Sequence, residues 1–164
     1  MAATDSYDNP LERPVLTAGA AELLARLREE IERAQRQGTA LSALHVGIEP
    51  ELLQGEREQA VPEQAISYIA AALTRQLRRF DRVGRLSERE LLVLLPGADG
   101  PRAEIVARRA LSRLQAVKVE VDGQRHPIGI AIGLATWSTG LSAAQLLERT
   151  RLLSQREQTT TPLP

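Results

Sequence analysis

Between Leu77 and Leu95 the chain reads LRRFDRVGRLSERELLVLL, with charged residues crowding the first half and an apolar run closing it. Arg78 and Asp81, three residues apart, make at least a surface ion pair, worth about 0.2–0.5 kcal/mol. Ser87, Glu88, Arg89 and Glu90 stand between two strand-like runs, a composition suited to a hydrophilic hairpin tip. The two histidines, His45 and His126, fall in a strand pattern and at a strand entrance. Neither has a metal-ligand partner at helical spacing, so both read as structural or surface residues. No serine stands in a nucleophile elbow and no glycine-rich loop precedes a helix, so neither a conventional hydrolase nor a P-loop enzyme is expected. With no cysteine in the chain, disulfides, thiolate metal sites and cysteine nucleophiles are excluded.

Composition sets the frame for these residues. The chain has 164 residues of which 43% are hydrophobic, enough for one domain around a single core. That domain is expected over residues 14–156, between a flexible lead at 1–13 and a flexible tail at 157–164. Acidic and basic residues balance at 21 each, which gives no broad cationic surface for nucleic acid or an anionic membrane. Aromatic residues are 2% of the chain, too few for a base-stacking platform. The amino terminus is polar and acidic, and no apolar run approaches the roughly 20 residues that span a bilayer, so a cytoplasmic protein without membrane insertion is expected. Arginine is plentiful, whereas Lys118 is the single lysine.

The elements that must position the charged stretch follow from periodicity. Leu16, Ala20, Leu23, Leu24, Leu27, Ile31 and Ala34 recur at helical spacing, and Gly38 is a natural stop. A strand is predicted over about 41–48, then a polar loop with two prolines. Ile66, Ile69, Ala70, Leu73 and Leu77 mark a second helix. The stretch from Phe80 to Pro96 reads as a hairpin whose return, LLVLLP, suits a strand buried on both faces. Pro101 opens a third helix with Ile105, Val106, Ala110, Leu111 and Leu114 inward. Val117, Val119 and Val121 alternate ahead of an Asp122-Gly123 turn, with Ile128 to Leu134 expected to return as the partner strand. A last helix runs from a Ser142 cap through Leu153. The order, α-β-α-β-β-α-β-β-α, describes an α+β fold: a mixed, mainly antiparallel sheet of about five strands flanked by helices.

The run RFDRVGRLSERELLVLLPGADGPRAEIVARRALSRL resembles the core of a GGDEF domain, the bacterial diguanylate cyclase family, in which R-x-x-D precedes a strand, a GGDEF or GGEEF turn and an apolar strand ending in proline. IGIAIGLA at 128–135 resembles the family's S-x-G-x-A strand, and LLERTRLL at 146–153 its final helix. The resemblance covers roughly residues 14–155 and implies the palm-like cyclase fold. Laid on the family, Ser87 and Glu88 replace the two glycines, Arg89 the third-position acid and Leu91 the phenylalanine; only the fourth-position Glu90 survives. The glycine pair admits the phosphates and base of GTP, where any Cβ would intrude. The third-position acid and a first-strand aspartate hold magnesium in the active family, and these places fall at Arg89 and Gly47. Magnesium takes carboxylate and phosphate oxygens, and Glu49, two residues on, offers only one. The resemblance therefore implies a degenerate domain, with neither cyclase activity nor bound magnesium expected.

The family's product-inhibition site uses R-x-x-D and an arginine on the next helix; the matching residues are Arg78, Asp81 and Arg109. The resemblance thus implies a receptor for cyclic di-GMP that relays its occupancy to a protein partner, with a ligand-bridged homodimer as a further expectation. Guanine O6 and N7 suit an arginine fork, while N1–H and the N2 amine suit a carboxylate, and a bidentate arginine contact gives about 1–3 kcal/mol of base discrimination. The alternatives are a nucleotide-independent dimerisation or scaffold domain of the same fold, and a pseudoenzyme that still binds GTP.

Overall fold

A computed structural model describes residues 19–49, 63–116, 118–121, 123–127 and 129–159. The expected lead at 1–13, the proline-containing loop and the end of the tail lie outside them. Along the chain come α1 (Ala20–Gln37), β1 (Leu41–Glu49), α2 (Glu63–Arg75), β2 (Arg82–Ser87), β3 (Glu90–Pro96) and α3 (Gly100–Gln115). There follow β4 (Lys118–Val121), β5 (Gln124–Pro127), β6 (Gly129–Thr136) and α4 (Ala143–Thr159).

Four strands form the main sheet in the order β2-β3-β1-β6, and all three pairings are antiparallel. The run from Leu91 to Leu95 is buried residue by residue, because β3 lies inside the sheet with helices on both faces. Alternation splits it: Leu91, Val93 and Leu95 join one core cluster with residues of α2 and α3, and Leu92 and Leu94 join a second with residues of α1 and α4. β1 is divided in the same way, Leu44, Val46 and Ile48 facing one cluster and Leu41 and Ala43 the other.

Several details differ from the sequence reading. Among the described residues the main sheet has four strands rather than about five, and its pairings are all antiparallel. Lys118–Val121 pairs with Gln124–Pro127 as a separate two-stranded ribbon, not with the strand from Ile128 onward. The turn explains this: Gly123 at φ 79° closes a tight hairpin directly onto Gln124, which leaves the alternating run of β6 free to reach β1. Ile105, expected inward, is 51% exposed, and α3 instead buries Ala103, Ala110 and Leu114. Its frame is set by Asp99, whose side chain accepts a hydrogen bond from the Arg102 N–H, with Pro101 inside the first turn. The expected stop at Gly38 holds: α1 ends there in the left-handed conformation, φ 63°. Among the described residues no helix is long and apolar enough to cross a membrane.

Candidate functional site

The β2–β3 hairpin carries a carboxylate at each end, Asp81 entering β2 and Glu90 opening β3. At the tip Ser87 pairs with Glu90 across a two-residue turn, Glu88–Arg89, after a register shift between Arg85 and Ser87. The tip is closed on itself. Arg85 donates from Nε to the Ser87 carbonyl at 3.0 Å and from Nη2 to the Glu88 carbonyl at 3.5 Å. The Arg89 N–H reaches Ser87 Oγ at 3.4 Å, so it is turned inward rather than toward a phosphate.

Glu90 takes donors from three elements. Ser87 Oγ donates to its Oε1 at 2.8 Å, His45 Nε2 on β1 to Oε2 at 2.6 Å, and Arg151 Nε on α4 to Oε2 at 2.9 Å. Partial burial pushes this carboxyl upward, but the bonds from His45, Ser87 and Arg151 together prevail and hold it below the ordinary carboxylate range. His45 is thus structural, as its strand position suggests: it is buried, with Nε2 on Glu90 and Nδ1 without a partner. Arg151 escaped the sequence reading. Its signal lies in helical spacing, since Leu147, Arg151 and Ser154 share the face of α4 turned to the sheet.

Strand register brings the two family acid positions together. Gly47 lies directly opposite Glu90, and the next residue, Ile48, donates its N–H to the Arg89 carbonyl at 2.9 Å. A Cβ built at Gly47 meets only ordinary contacts, 3.4 Å to His45 Cε1 and 3.6 Å to Ser154 Oγ. A carboxylate is therefore missing here for reasons of residue type and not of space. Gly47 and Arg89 offer no carboxylate oxygen to a hard cation. The side chain of Glu49 lies outside the described residues. Among the described residues no group of three or more histidine, cysteine, aspartate or glutamate side chains converges as a metal site.

At the far end of β2, the turn after α2 places Arg78 and Asp81 together. Asp81 Oδ2 accepts the Arg78 backbone N–H at 2.8 Å, and Arg78 Nε approaches the same oxygen at 3.8 Å. The two side chains differ sharply in exposure, 59% for Arg78 and 1% for Asp81. Arg78 also donates from Nη2 to the Pro96 carbonyl at a long 3.4 Å. Asp81 Oδ1 is buried with no partner. Desolvation accordingly raises the Asp81 pKa, against the lowering effect of the Arg78 N–H and of the Arg78 and Arg82 charges. Arg109 is exposed on α3, and no hydrogen bond or ion pair joins it to Arg78 or Asp81. The structure thus brings two of the three expected ligand residues into contact.

The family model for the diguanylate cyclase GGDEF domain matches residues 21–159. This chain belongs to the GGDEF family. No curated protein matches it. Among solved structures it is similar to the diguanylate cyclase SiaD of Pseudomonas aeruginosa in complex with its activator SiaC, with a TM-score of 0.81 and 22% identity over 97% of this chain. The match spans 61% of the SiaD chain, so this chain covers less than two thirds of that relative. It is also similar to the GGDEF domain of PA1120 (YfiN or TpbB) from P. aeruginosa, with a TM-score of 0.78 and 23% identity over 88% of this chain and 91% of that one. A third is the GGDEF domain of DgcB from Caulobacter crescentus in complex with c-di-GMP, with a TM-score of 0.77 and 14% identity over 87% and 83% of the two chains. At these identities the likeness establishes the fold, a palm-like α+β domain, and leaves the chemistry of this GGDEF domain to its own residues.

Proposed function

We propose that this GGDEF domain does not cyclise GTP and serves as a receptor for cyclic di-GMP that signals through a protein partner. The observation that carries the loss of chemistry is the state of Glu90, the one signature acid left. It faces Gly47 across the sheet, adjoins Arg89, and is bound by His45, Ser87 and Arg151. Neither neighbouring position supplies the second carboxylate that a magnesium-assisted attack on a triphosphate needs.

Binding rests on Arg78, Asp81 and Arg109. Arg78 is held over the carboxylate only by contacts of 3.8 and 3.4 Å, which are cheap to break. Asp81 Oδ1 lacks a donor, and an unmet buried acceptor costs about 1–3 kcal/mol. A guanine edge offering N1–H and the N2 amine fills that need while Arg78 swings onto O6 and N7. The exposed Arg109 then meets a second base or a phosphate of the ligand. A stacked ligand pair presents bases on two sides and bridges two copies of the chain.

Calorimetry with cyclic di-GMP tests this. Saturable binding at micromolar ligand is expected, with loss of roughly tenfold or more in affinity for Arg78→Ala, the ~1–3 kcal/mol of one bidentate contact. A ligand-bridged dimer raises the sedimentation coefficient on titration. GTP incubated with the purified protein and magnesium yields no cyclic di-GMP. One observation favours the second reading, a scaffold that needs no nucleotide: the Asp81 side chain is 1% exposed and already caps its own turn. A flat calorimetric trace decides for that reading.

A further inference from the structure

A cleft of about 260 Å³ lies between α2 and β4, lined by Tyr68, Ala71, Ala72, Arg75 and Lys118. The first four stand at i, i+3, i+4 and i+7, one stripe of α2, and Lys118 enters from β4. The floor is alanine: Ala71 is buried and Ala72 half-buried, while Tyr68 stands 59% exposed at the rim.

The cleft brings two cations from separate elements to one place. Some arginines elsewhere sit beside acids on their own helix, as in Arg26–Glu29, Arg33–Glu30 and Arg108–Glu104. Arg75 and Lys118 have no acidic partner among the described residues, although both line one small cleft and the chain as a whole carries balanced charge. Two cations drawn from distant parts of the sequence, with no acidic partner among the described residues, give the cleft the character of a local anion site. Its size limits the ligand. At about 260 Å³, just under the roughly 300–1,000 Å³ of small-molecule pockets, the cleft suits one ring and one anionic group.

We infer that the α2–β4 cleft binds a single phosphoryl or carboxylate group carried on one ring. The ring lies on Ala71 and Ala72 against the Tyr68 face, and the anion takes the Arg75 fork and the Lys118 ammonium. Such a group comes either from a free small molecule or from a phosphorylated tyrosine of a protein. The cleft shares no lining residue with the proposed cyclic di-GMP contacts.

Because Lys118 is the only lysine, reductive ¹³C-methylation, which keeps its charge, labels it and the chain's amino terminus alone. Phenyl phosphate should move the Lys118 signal along a saturable curve, about tenfold tighter than inorganic phosphate, and phenol should not move it. Arg75→Gln should weaken phenyl phosphate about tenfold and Tyr68→Ala should erase its advantage over inorganic phosphate, while Arg78→Ala leaves the curve unchanged. Unchanged melting temperatures for the exposed Arg75 and Tyr68 variants separate lost binding from lost fold. Equal affinity for phenyl phosphate and inorganic phosphate, or a curve indifferent to Arg75→Gln, overturns the inference. A phosphotyrosine peptide binding tenfold tighter than phenyl phosphate assigns the source to a protein; equal binding assigns it to a free small molecule.

Discussion

The two carboxylates that bracket β2 are buried to different ends. Glu90 is partly exposed yet bound by three side chains from three elements, and its pKa falls. Asp81 is closed off from solvent with one oxygen on the Arg78 N–H and the other on nothing, and its pKa rises. Burial sets a cost in both places, and the number of donors decides whether the charge is welcome. Glu90 has become part of the structure, whereas Asp81 keeps an unmet acceptor of the kind a ligand can satisfy.

The most damaging way to break this contrast is to unseat α4, which carries Arg151 to the tip. A Cβ at Gly133 would collide with the Thr150 carbonyl and stand 2.5 Å from the Ser154 nitrogen, both backbone atoms. Gly133→Ala should therefore cost about 3 kcal/mol, at the upper end of overpacking penalties, read as a fall in the urea midpoint. Next in size, Glu90→Ala strips His45 and Arg151 of their shared acceptor and should cost about 2 kcal/mol. If that variant unfolds at the same urea concentration as the parent, the tip network contributes nothing to stability.

The smallest effect sharpens the comparison through pH. With its folded-state pKa lowered, Glu90 contributes stability that is present above the ordinary carboxylate value of about 4 and lost as pH falls through its folded value. Asp81 acts in the opposite sense: the fold binds its proton more tightly than the unfolded chain does, so its stability term declines as pH rises from about 4 through the raised value. Melting temperatures between pH 3 and 6 should show Glu90→Gln flattening the acid-side loss. Asp81→Asn, which keeps an acceptor for the Arg78 N–H, should be neutral or slightly stabilising above pH 5 and should steepen that loss.

What the sequence disclosed was local. Gly38, the Asp122-Gly123 turn, the LLVLL run and the helical stripe of α2 each announce an element within a few residues, and the family resemblance points to Gly47 and Arg89, which the register brings near each other with Gly47 opposite Glu90. Pairings across long separations were not disclosed. The strand after Asp122-Gly123 was assigned the wrong partner because two runs could follow the turn and only the sheet chooses between them. Ile105 was placed inward because periodicity gives a stripe but not its angle, which the Asp99 cap and the small residues Ala103 and Ala110 fix. Arg151 meets Glu90 over 61 residues, a contact created by packing α4 on β6, which no local pattern records. The inward turn of Asp81 was equally hidden, since the spacing that fits a guanine also fits a turn capped by its own carboxylate.

Bare backbone at Gly133 lets the last helix lie against the sheet with no side chain between them, and Arg151 then rivets that helix to the hairpin tip. The tip and the helix should therefore open as one cooperative unit, which hydrogen exchange would show as matched protection of their amides. The signature turn of this GGDEF domain is thereby tied, through one arginine, to the helix that follows its last strand.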